Sequence, residues 1–331
     1  VWRADRPQHG RFQEFYQCDA DVVGSTSLWQ EIELCQLYDT AFTKLGLQGA
    51  TLKMNNRKVL AGIAEIIGAA DQLIDFTVAL DKLDKIGFDG VVKELTEKGF
   101  SAAAIEKIQP LMELSGTAFE RLEQLASFLS SSQIGLAGVE ELRFVVDQLD
   151  QIGLKGIELA IDVTLARGLN YYTGCIFEVA APKGVKMGSI GGGGRYDDLT
   201  AGFGMKNMSG VGISFGFDRI YLVLEELGLF PASVQNQTQV LFMNFGEAAA
   251  LKANQLIPAL RDSGIRTEYY PDAVKMKKQL SYANQKQIPW VVLLGEEELS
   301  REEAVLKNME SGEQEVQPLS TLSKKILVKL A

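Results

Sequence analysis

Arg3, Arg6 and Arg11 flank a turn built on Pro7 and Gly10 in the run Arg3-Ala4-Asp5-Arg6-Pro7-Gln8-His9-Gly10-Arg11, which leads into Phe12-Gln13-Glu14-Phe15. A guanidinium keeps its charge at any physiological pH, and its planar fork fits phosphate oxygens in pairs. Three of them on one hairpin can therefore grip a polyanion. An exposed basic hairpin with ion pairs to Asp5 and Glu14 accounts for the same residues, and chemistry alone leaves both readings standing. Arg167 closes an apolar run at Leu165-Ala166, ahead of Gly168-Leu169-Asn170-Tyr171-Tyr172-Thr173-Gly174. A charge so placed needs a carboxylate or a bound anion. An internal salt bridge, with the tyrosines as core, is the competing reading there.

Two glycine-rich runs follow. Gly191-Gly192-Gly193-Gly194-Arg195-Tyr196-Asp197 holds more glycines than a tight turn requires, and such a run lets the backbone approach something bulky. It is neither a P-loop nor a GxGxxG opening a helix. Gly210-Val211-Gly212-Ile213-Ser214-Phe215-Gly216-Phe217-Asp218-Arg219 thins one face of a strand and then starts a helix with an arginine. A slot beside a guanidinium suits a purine ring. A core strand with a surface arginine is the plainer account.

Other chemistry lacks raw material. The 331-residue chain has one histidine, His9, and three scattered cysteines, Cys18, Cys35 and Cys175. Zinc sites of the Cys/His type and Ser-His-Asp triads have almost no raw material here, and no disulfide framework is expected. No apolar run is long enough to span a bilayer. Net charge is −10, yet residues 241–331 are neutral, with twelve basic and twelve acidic side chains. Within 251–290 the basic residues Lys252, Arg261, Arg266, Lys275, Lys277, Lys278 and Lys286 face only Asp262, Glu268 and Asp272. Exposed charges beyond about 10 Å are largely screened, so a local basic face can bind phosphates on an acidic protein. A solvated helix face explains the count equally.

The elements that must position these residues read as follows. Residues 11–23 alternate as a strand with Phe15, Gln17, Asp19 and Asp21 on one face. A helix over 28–45 and a strand over 47–54 come next. Residues 57–132 are helix-rich, with Gly-Phe pairs at 87–88 and 99–100 as helix ends, and 137–152 is amphipathic helix. Strands are expected over 157–166, 171–181, 185–190 and 210–216, then a helix over 217–227. Short Gly-rich connections favour a mainly antiparallel sheet over a Rossmann unit. A polar linker, 233–238, precedes strand 239–244, helix 246–264, strand 266–270, helix 274–287, strand 289–294, charged strands around 303–316 and helix 319–330. That alternation predicts a separate small α/β module.

In order and wording the four runs resemble class II aminoacyl-tRNA synthetases, and specifically the histidyl-tRNA synthetase family. Arg3-x-x-Arg6-Pro7-Gln8 through Phe15-Tyr16-Gln17 looks like motif 2, and Gly212 to Arg219 looks like motif 3. Arg167-Gly168-Leu169-Asn170-Tyr171-Tyr172 looks like the histidine-specific signature, which often carries Asp where this chain has Asn170. The resemblance runs from Val1 through Ala331. It implies an α+β catalytic domain, a class II antiparallel sheet with flanking helices. Residues 1–56 and 136–232 would form that domain, 57–135 a helical insertion, and 238–331 a C-terminal α/β anticodon-binding domain. The chain opens at Val1 without methionine, so motif 1 and its upstream segment are expected outside it.

The resemblance also implies roles. Arg3 holds the ATP α-phosphate, Arg11 reaches the outer phosphates, Phe15 stacks on adenine, and Arg219 covers it from the other side. Gln17, Asp21, Tyr171, Tyr172 and Tyr196 line the histidine pocket, with Asp21 and Tyr172 on the imidazole nitrogens. Arg167 bridges the histidine carboxylate and the α-phosphate, so Arg3, Arg167 and Arg219 form the catalytic set. Arg6 and Gln8 meet the acceptor end of tRNA(His). ATP and Mg2+ are the implied cofactors, with no resident protein metal site. L-histidine, tRNA(His) and a second copy in a homodimer are the implied partners, in the cytoplasm and away from membranes. A non-catalytic, synthetase-like regulatory subunit of histidine biosynthesis is the alternative, but it would lack the C-terminal module. Another class II synthetase is disfavoured by Asp21 and the Tyr171-Tyr172 signature.

Overall fold

Residues 1–168, 171–231 and 238–330 are described by the computed structural model, without the side chains of Asp84 and Lys85. Signature residues Leu169 and Asn170 and linker residues 233–237 lie outside the described residues. The chain forms two compact units, Val1–Leu229 and Phe230–Ala331.

The first unit is built on six strands: β1 (Cys18–Val23), β2 (Ala50–Asn56), β3 (Ile157–Ile161), β4 (Cys175–Ala180), β5 (Ser189–Tyr196) and β6 (Gly210–Phe215). Their order is β1-β6-β5-β4-β2-β3, and every pairing is antiparallel except β2 with β3. The mainly antiparallel expectation therefore holds. Strand alternation sorts the side chains by face. Leu52, Met54, Phe177 and Val179 turn to one side and are fully buried. There they join the apolar stripes of helices α1 (Trp29–Lys44) and α7 (Gln133–Ile152), including Ile32, Phe42, Leu142 and Val145. Burying each such side chain contributes roughly 1.5–3 kcal/mol. The other face carries Asp19, Ser214, Gly192, Glu178 and Lys53 in one row, as the registers require.

Helix α2 (Arg57–Ile66) starts where the Asn56 side chain accepts the Lys58 amide, and α7 starts with Ser132 accepting the Gly135 amide. The two helices meet at glycines: a methyl group on Gly62 would lie 2.5 Å from the Gly135 Cα. Between them run the helices α3 (Leu73–Leu80), α4 (Leu83–Glu97), α5 (Ala102–Met112) and α6 (Ala118–Phe128). The last has a capping box between Thr117 and Glu120. Gly87 and Gly99 both take positive φ, at 69° and 88°. Gly87, with φ 69° and ψ 173°, divides the span Leu83–Glu97 into two helices, and Gly99 follows the end of the second. Both Gly-Phe pairs thus stand at helix ends, as expected.

Several expectations need correction. The alternating run 11–23 is strand only from Cys18. Before it, Val1 to Phe15 fold into a narrow hairpin, with the Arg3 amide donating to Gln13 O at 2.8 Å and the Phe15 amide to Val1 O at 3.1 Å. β3 stops at Ile161 because Asp162 turns the chain, its carboxylate accepting from the Thr164 amide and hydroxyl. β4 begins at Cys175 rather than Tyr171. The four glycines, expected to follow a strand ending at Ile190, lie inside β5, and the chain turns upstream, at 182–188.

The second unit has a five-stranded sheet, β7 (Val240–Phe242), β8 (Thr267–Tyr269), β9 (Trp290–Leu293), β10 (Glu303–Asn308) and β11 (Gln314–Pro318), ordered β11-β10-β9-β7-β8. β7 pairs in parallel with β8 and β9, and the other pairings are antiparallel. Helices Glu247–Asp262 and Leu319–Leu330 cover one face through Ile257, Leu260, Leu322 and Ile326. The other face packs Leu241, Met243 and Val291 against Ala283 of helix Met276–Gln285. Covered parallel strands read as continuous apolar runs, as β7 and β9 do, whereas the edge strand β8 is Thr267-Glu268-Tyr269. The short helix Glu296–Ser300 carried no clear periodic signal. Gln279 is wholly buried: its Oε1 accepts the Asn244 amide at 2.8 Å, and its Nε2 donates to Asn244 O and Val274 O, each at 2.8 Å.

Candidate active site

The sheet face opposite the helices floors a cleft of about 500 Å3 in the first unit. Arg3, Arg11, Phe15 and Gln17 come to it from the N-terminal hairpin and the chain behind it. Arg167, Tyr171 and Tyr172 come from the β3–β4 connection, and Arg219 from the first turn of helix α8 (Phe217–Glu226). Gly191, Gly192 and Gly193 form the floor with Ser214 and Phe215. Eight of the twelve residues expected to do chemistry thus share one cavity. Asp21 and Tyr196 are not in its lining. They continue the same face two positions along the strands, and the Tyr196 hydroxyl donates to Asp21 Oδ1 at 2.8 Å. Arg6 and Gln8 are exposed on the hairpin, also outside the lining.

Missing side chains in the sheet make room for working ones. A methyl group on Gly212 would sit 1.8 Å from Asp21 Oδ1, and one on Gly194 would sit 2.9 Å from the Tyr172 ring. The glycines are needed because functional side chains lie flat on the strands. From below, the buried Tyr38 of α1 braces the floor, donating to Ser214 O at 2.9 Å and approaching Gly192 O at 3.2 Å. Burial pushes the Tyr38 hydroxyl well above the usual tyrosine range, and Tyr172 is displaced the same way, first by burial and then by Tyr171. Both stay neutral donors.

Each arginine is anchored. The Arg3 guanidinium lies 4.8 Å from the centre of the Phe15 ring. Arg11 pairs with Asp5 at 3.0 Å, the ion pair that the plainer hairpin reading expected. Arg167 is tied through Nε to Glu178 of β4. The half-buried Arg219 donates from Nε to Gly10 O at 2.8 Å and from Nη1 to Ser189 O at 2.6 Å, so it joins the hairpin turn to the start of β5. Burial, with the nearby Arg167 and Arg11 cations, holds Arg219 below the usual arginine value. A cation held down by burial and by neighbouring cations is poised to take up an anion. Among the described residues no group of three or more His, Cys, Asp or Glu side chains could hold a metal ion.

Residues that the sequence reading passed over carry much of this support. Glu178 was legible as the one charge in the apolar strand Cys175–Ala180. Arg195 is buried and structural. It meets Glu31 through Nε at 2.5 Å and Nη2 at 2.6 Å, and donates to Ser209 Oγ at 2.6 Å and to Ser25 O and Ser27 O at 3.1 Å. Gln17 bonds to Asp19. In the second unit, Lys275, Lys277, Lys278 and Lys286 are exposed around helix Met276–Gln285, while Arg261 donates to Thr267 O.

Comparison with known proteins gives the same frame. The profile of the family described as histidyl-tRNA synthetase matches residues 1–220, and that of the anticodon binding domain matches residues 239–329. A histidine–tRNA ligase of Christiangramia forsetii is 63% identical over 95% of this chain and 69% of its own length. One from Flavobacterium johnsoniae is 62% identical over 99% of the chain and 69% of its own length. A crystal structure of histidyl-tRNA synthetase from Nostoc sp. PCC 7120 superimposes with a TM-score of 0.77 at 28% identity, covering 99% of this chain and 76% of that one. The fold is the class II synthetase catalytic architecture followed by an anticodon-binding domain, and the chain belongs to the histidyl-tRNA synthetase family.

Proposed function

We propose that this protein is a histidine–tRNA ligase, which activates histidine with ATP and transfers it to the 3′ end of tRNA(His). The observation that carries the reading is the convergence of Arg3, Arg11, Arg167 and Arg219 on one glycine-floored cleft. Activation joins two anions: a histidine carboxylate oxygen attacks the α-phosphorus, the bond to the bridging oxygen breaks, and pyrophosphate leaves with the electron pair. Fixed guanidiniums offset the repulsion and stabilise the charge that develops. Arg167, at the boundary of the two substrate regions, bridges the carboxylate and the α-phosphate. Arg3 and Arg11 hold phosphates, Phe15 takes the adenine face, and Arg219 lies across from it. Gln17, Tyr171 and Tyr172 border the histidine, and the Asp21–Tyr196 pair reads its imidazole. Arg6 and Gln8, exposed on the hairpin, meet the acceptor end of the tRNA.

The cleft suits a magnesium-bound triphosphate. Asp5 and Asp218 are carboxylates on its wall, and Mg2+ commonly uses one or two such groups with substrate phosphates and water. When bound, the metal neutralises phosphate charge and orients the leaving group. The anticodon-binding match over 239–329 supports a ligase over a synthetase-like regulatory subunit. No described helix is long and apolar enough to cross a membrane. Family membership supports a homodimer working in the cytoplasm. Amino-acid-dependent ATP–pyrophosphate exchange, run with each amino acid in turn, tests the assignment. Exchange with histidine alone is expected, and exchange driven by a different amino acid contradicts it.

A further inference from the structure

Glu178 sits on β4 directly opposite Gly192 of β5, so its carboxylate emerges on the cleft face beside a position without a side chain. Directly opposed residues bring their Cβ positions to about 5 Å. A glycine there leaves a flat bay, and Arg167 fills it: a methyl group on Gly192 would lie 3.4 Å from Arg167 Nη1. Glu178 is four-fifths buried and takes the Nε side of that guanidinium. Arginine has five N–H donors, so a partner at Nε leaves donors on the Nη atoms for a ligand. Arg167 itself is substantially exposed, at 43%, and enters from a connection rather than from a strand. Among the described residues, Glu178 is its ion-pair partner. The same carboxylate also favours the cationic form of Arg219, against the depressing effect of Arg167.

We infer that Glu178 is a positioning residue for amino-acid activation: it aims the Arg167 guanidinium across the floor at Gly192 and moderates the repulsion between Arg167 and Arg219. This rests on the ligase reading above. Misplacing a group by about 1 Å costs roughly 10²-fold in rate. Losing Glu178 therefore lowers the chemical step while leaving ATP binding nearly intact, since the net positive charge facing the phosphates rises.

The test is a double-mutant cycle at positions 167 and 178 in the full-length protein, read by single-turnover formation of the adenylate and by the KM for ATP. Glu178→Gln is expected to lower the rate roughly 10²-fold, with KM little changed. In the Arg167→Ala background the same substitution should add almost nothing, because Glu178 acts through Arg167. A Glu178→Gln rate equal to wild type, or an undiminished further loss in the double variant, overturns the inference. If the glutamine variant does not fold, Glu178→Asp takes its place in the cycle; it keeps the charge but withdraws it by one methylene, so a smaller, Arg167-dependent loss is expected and a wild-type rate is the contrary result. A wild type that forms no histidine-dependent adenylate overturns the ligase reading instead, so the two failures are distinguishable.

Discussion

The Tyr196 hydroxyl donates to Asp21 Oδ1 at 2.8 Å, joining strands that are separated in the sheet by β6. The bond passes over β6 where Gly212 stands directly between Asp21 and Gly194 in register. No side chain on Gly212 blocks the span, and Asp21 lies down into the gap.

Gly212→Ala should break this arrangement, because the new methyl would meet Asp21 Oδ1 at 1.8 Å. Overpacking of this kind costs about 1–3 kcal/mol. The carboxylate end can swing away, so the expected result is a folded protein whose KM for histidine rises far more than its KM for ATP. Steady-state kinetics in both substrates checks this; equal changes in the two contradict it.

The pair also predicts a titration. Burial first, then the hydrogen bond and charge of Asp21, push the Tyr196 hydroxyl up to about 12. An unfolded tyrosine titrates near 10. The folded value is the higher one, so the stabilisation is complete below about pH 10 and is lost as pH climbs toward 12. Ultraviolet difference titration should show a high-pH tyrosine that disappears in Tyr196→Phe, and that variant should lose less stability than wild type between pH 10 and 12.

Arg195→Ala should be a stability variant. Removing one partner of a buried pair leaves Glu31, fully inaccessible, as an uncompensated charge, which costs about 3–5 kcal/mol. Denaturant unfolding of the first unit should shift accordingly. An unchanged midpoint would mean that the Glu31 contact adds nothing.

In the second unit, Gln279→Ala leaves the buried Asn244 amide without its acceptor, and strips a donor from Asn244 O and from Val274 O. An unsatisfied buried group costs about 1–3 kcal/mol. Calorimetry should show the transition of the second unit moving down while that of the first stays in place.

How much of this was legible in the chain depended on whether the signal was local. Helical stripes such as Leu142, Val145 and Leu149, and apolar strands such as Val240–Phe242, announce themselves by period, and both appear where expected. The arginines were legible because a charge beside glycines and tyrosines is out of place in a core. The glycine run announced a close approach to the backbone, but its place inside a strand and the side chains that approach it, Arg167 and Tyr172, are visible only in the sheet. Pairings between elements were not legible: Glu178 stands out as a charge in an apolar strand, but nothing local joins it to Arg167, and Glu31 lies 164 positions from Arg195. The extended reading of 11–17 failed because alternation does not distinguish a strand in a sheet from one arm of a two-stranded hairpin.

The most direct test of the arginine cleft is Arg167→Ala, with adenylate formation followed in a single turnover and histidine binding measured by calorimetry. Removing one preorganised contact to developing charge costs about 10²–10³ in rate. The account predicts a fall of that size in adenylate formation with a much smaller loss of histidine affinity. A variant that forms adenylate at a near-normal rate would show that Arg167 does not bridge the reacting groups.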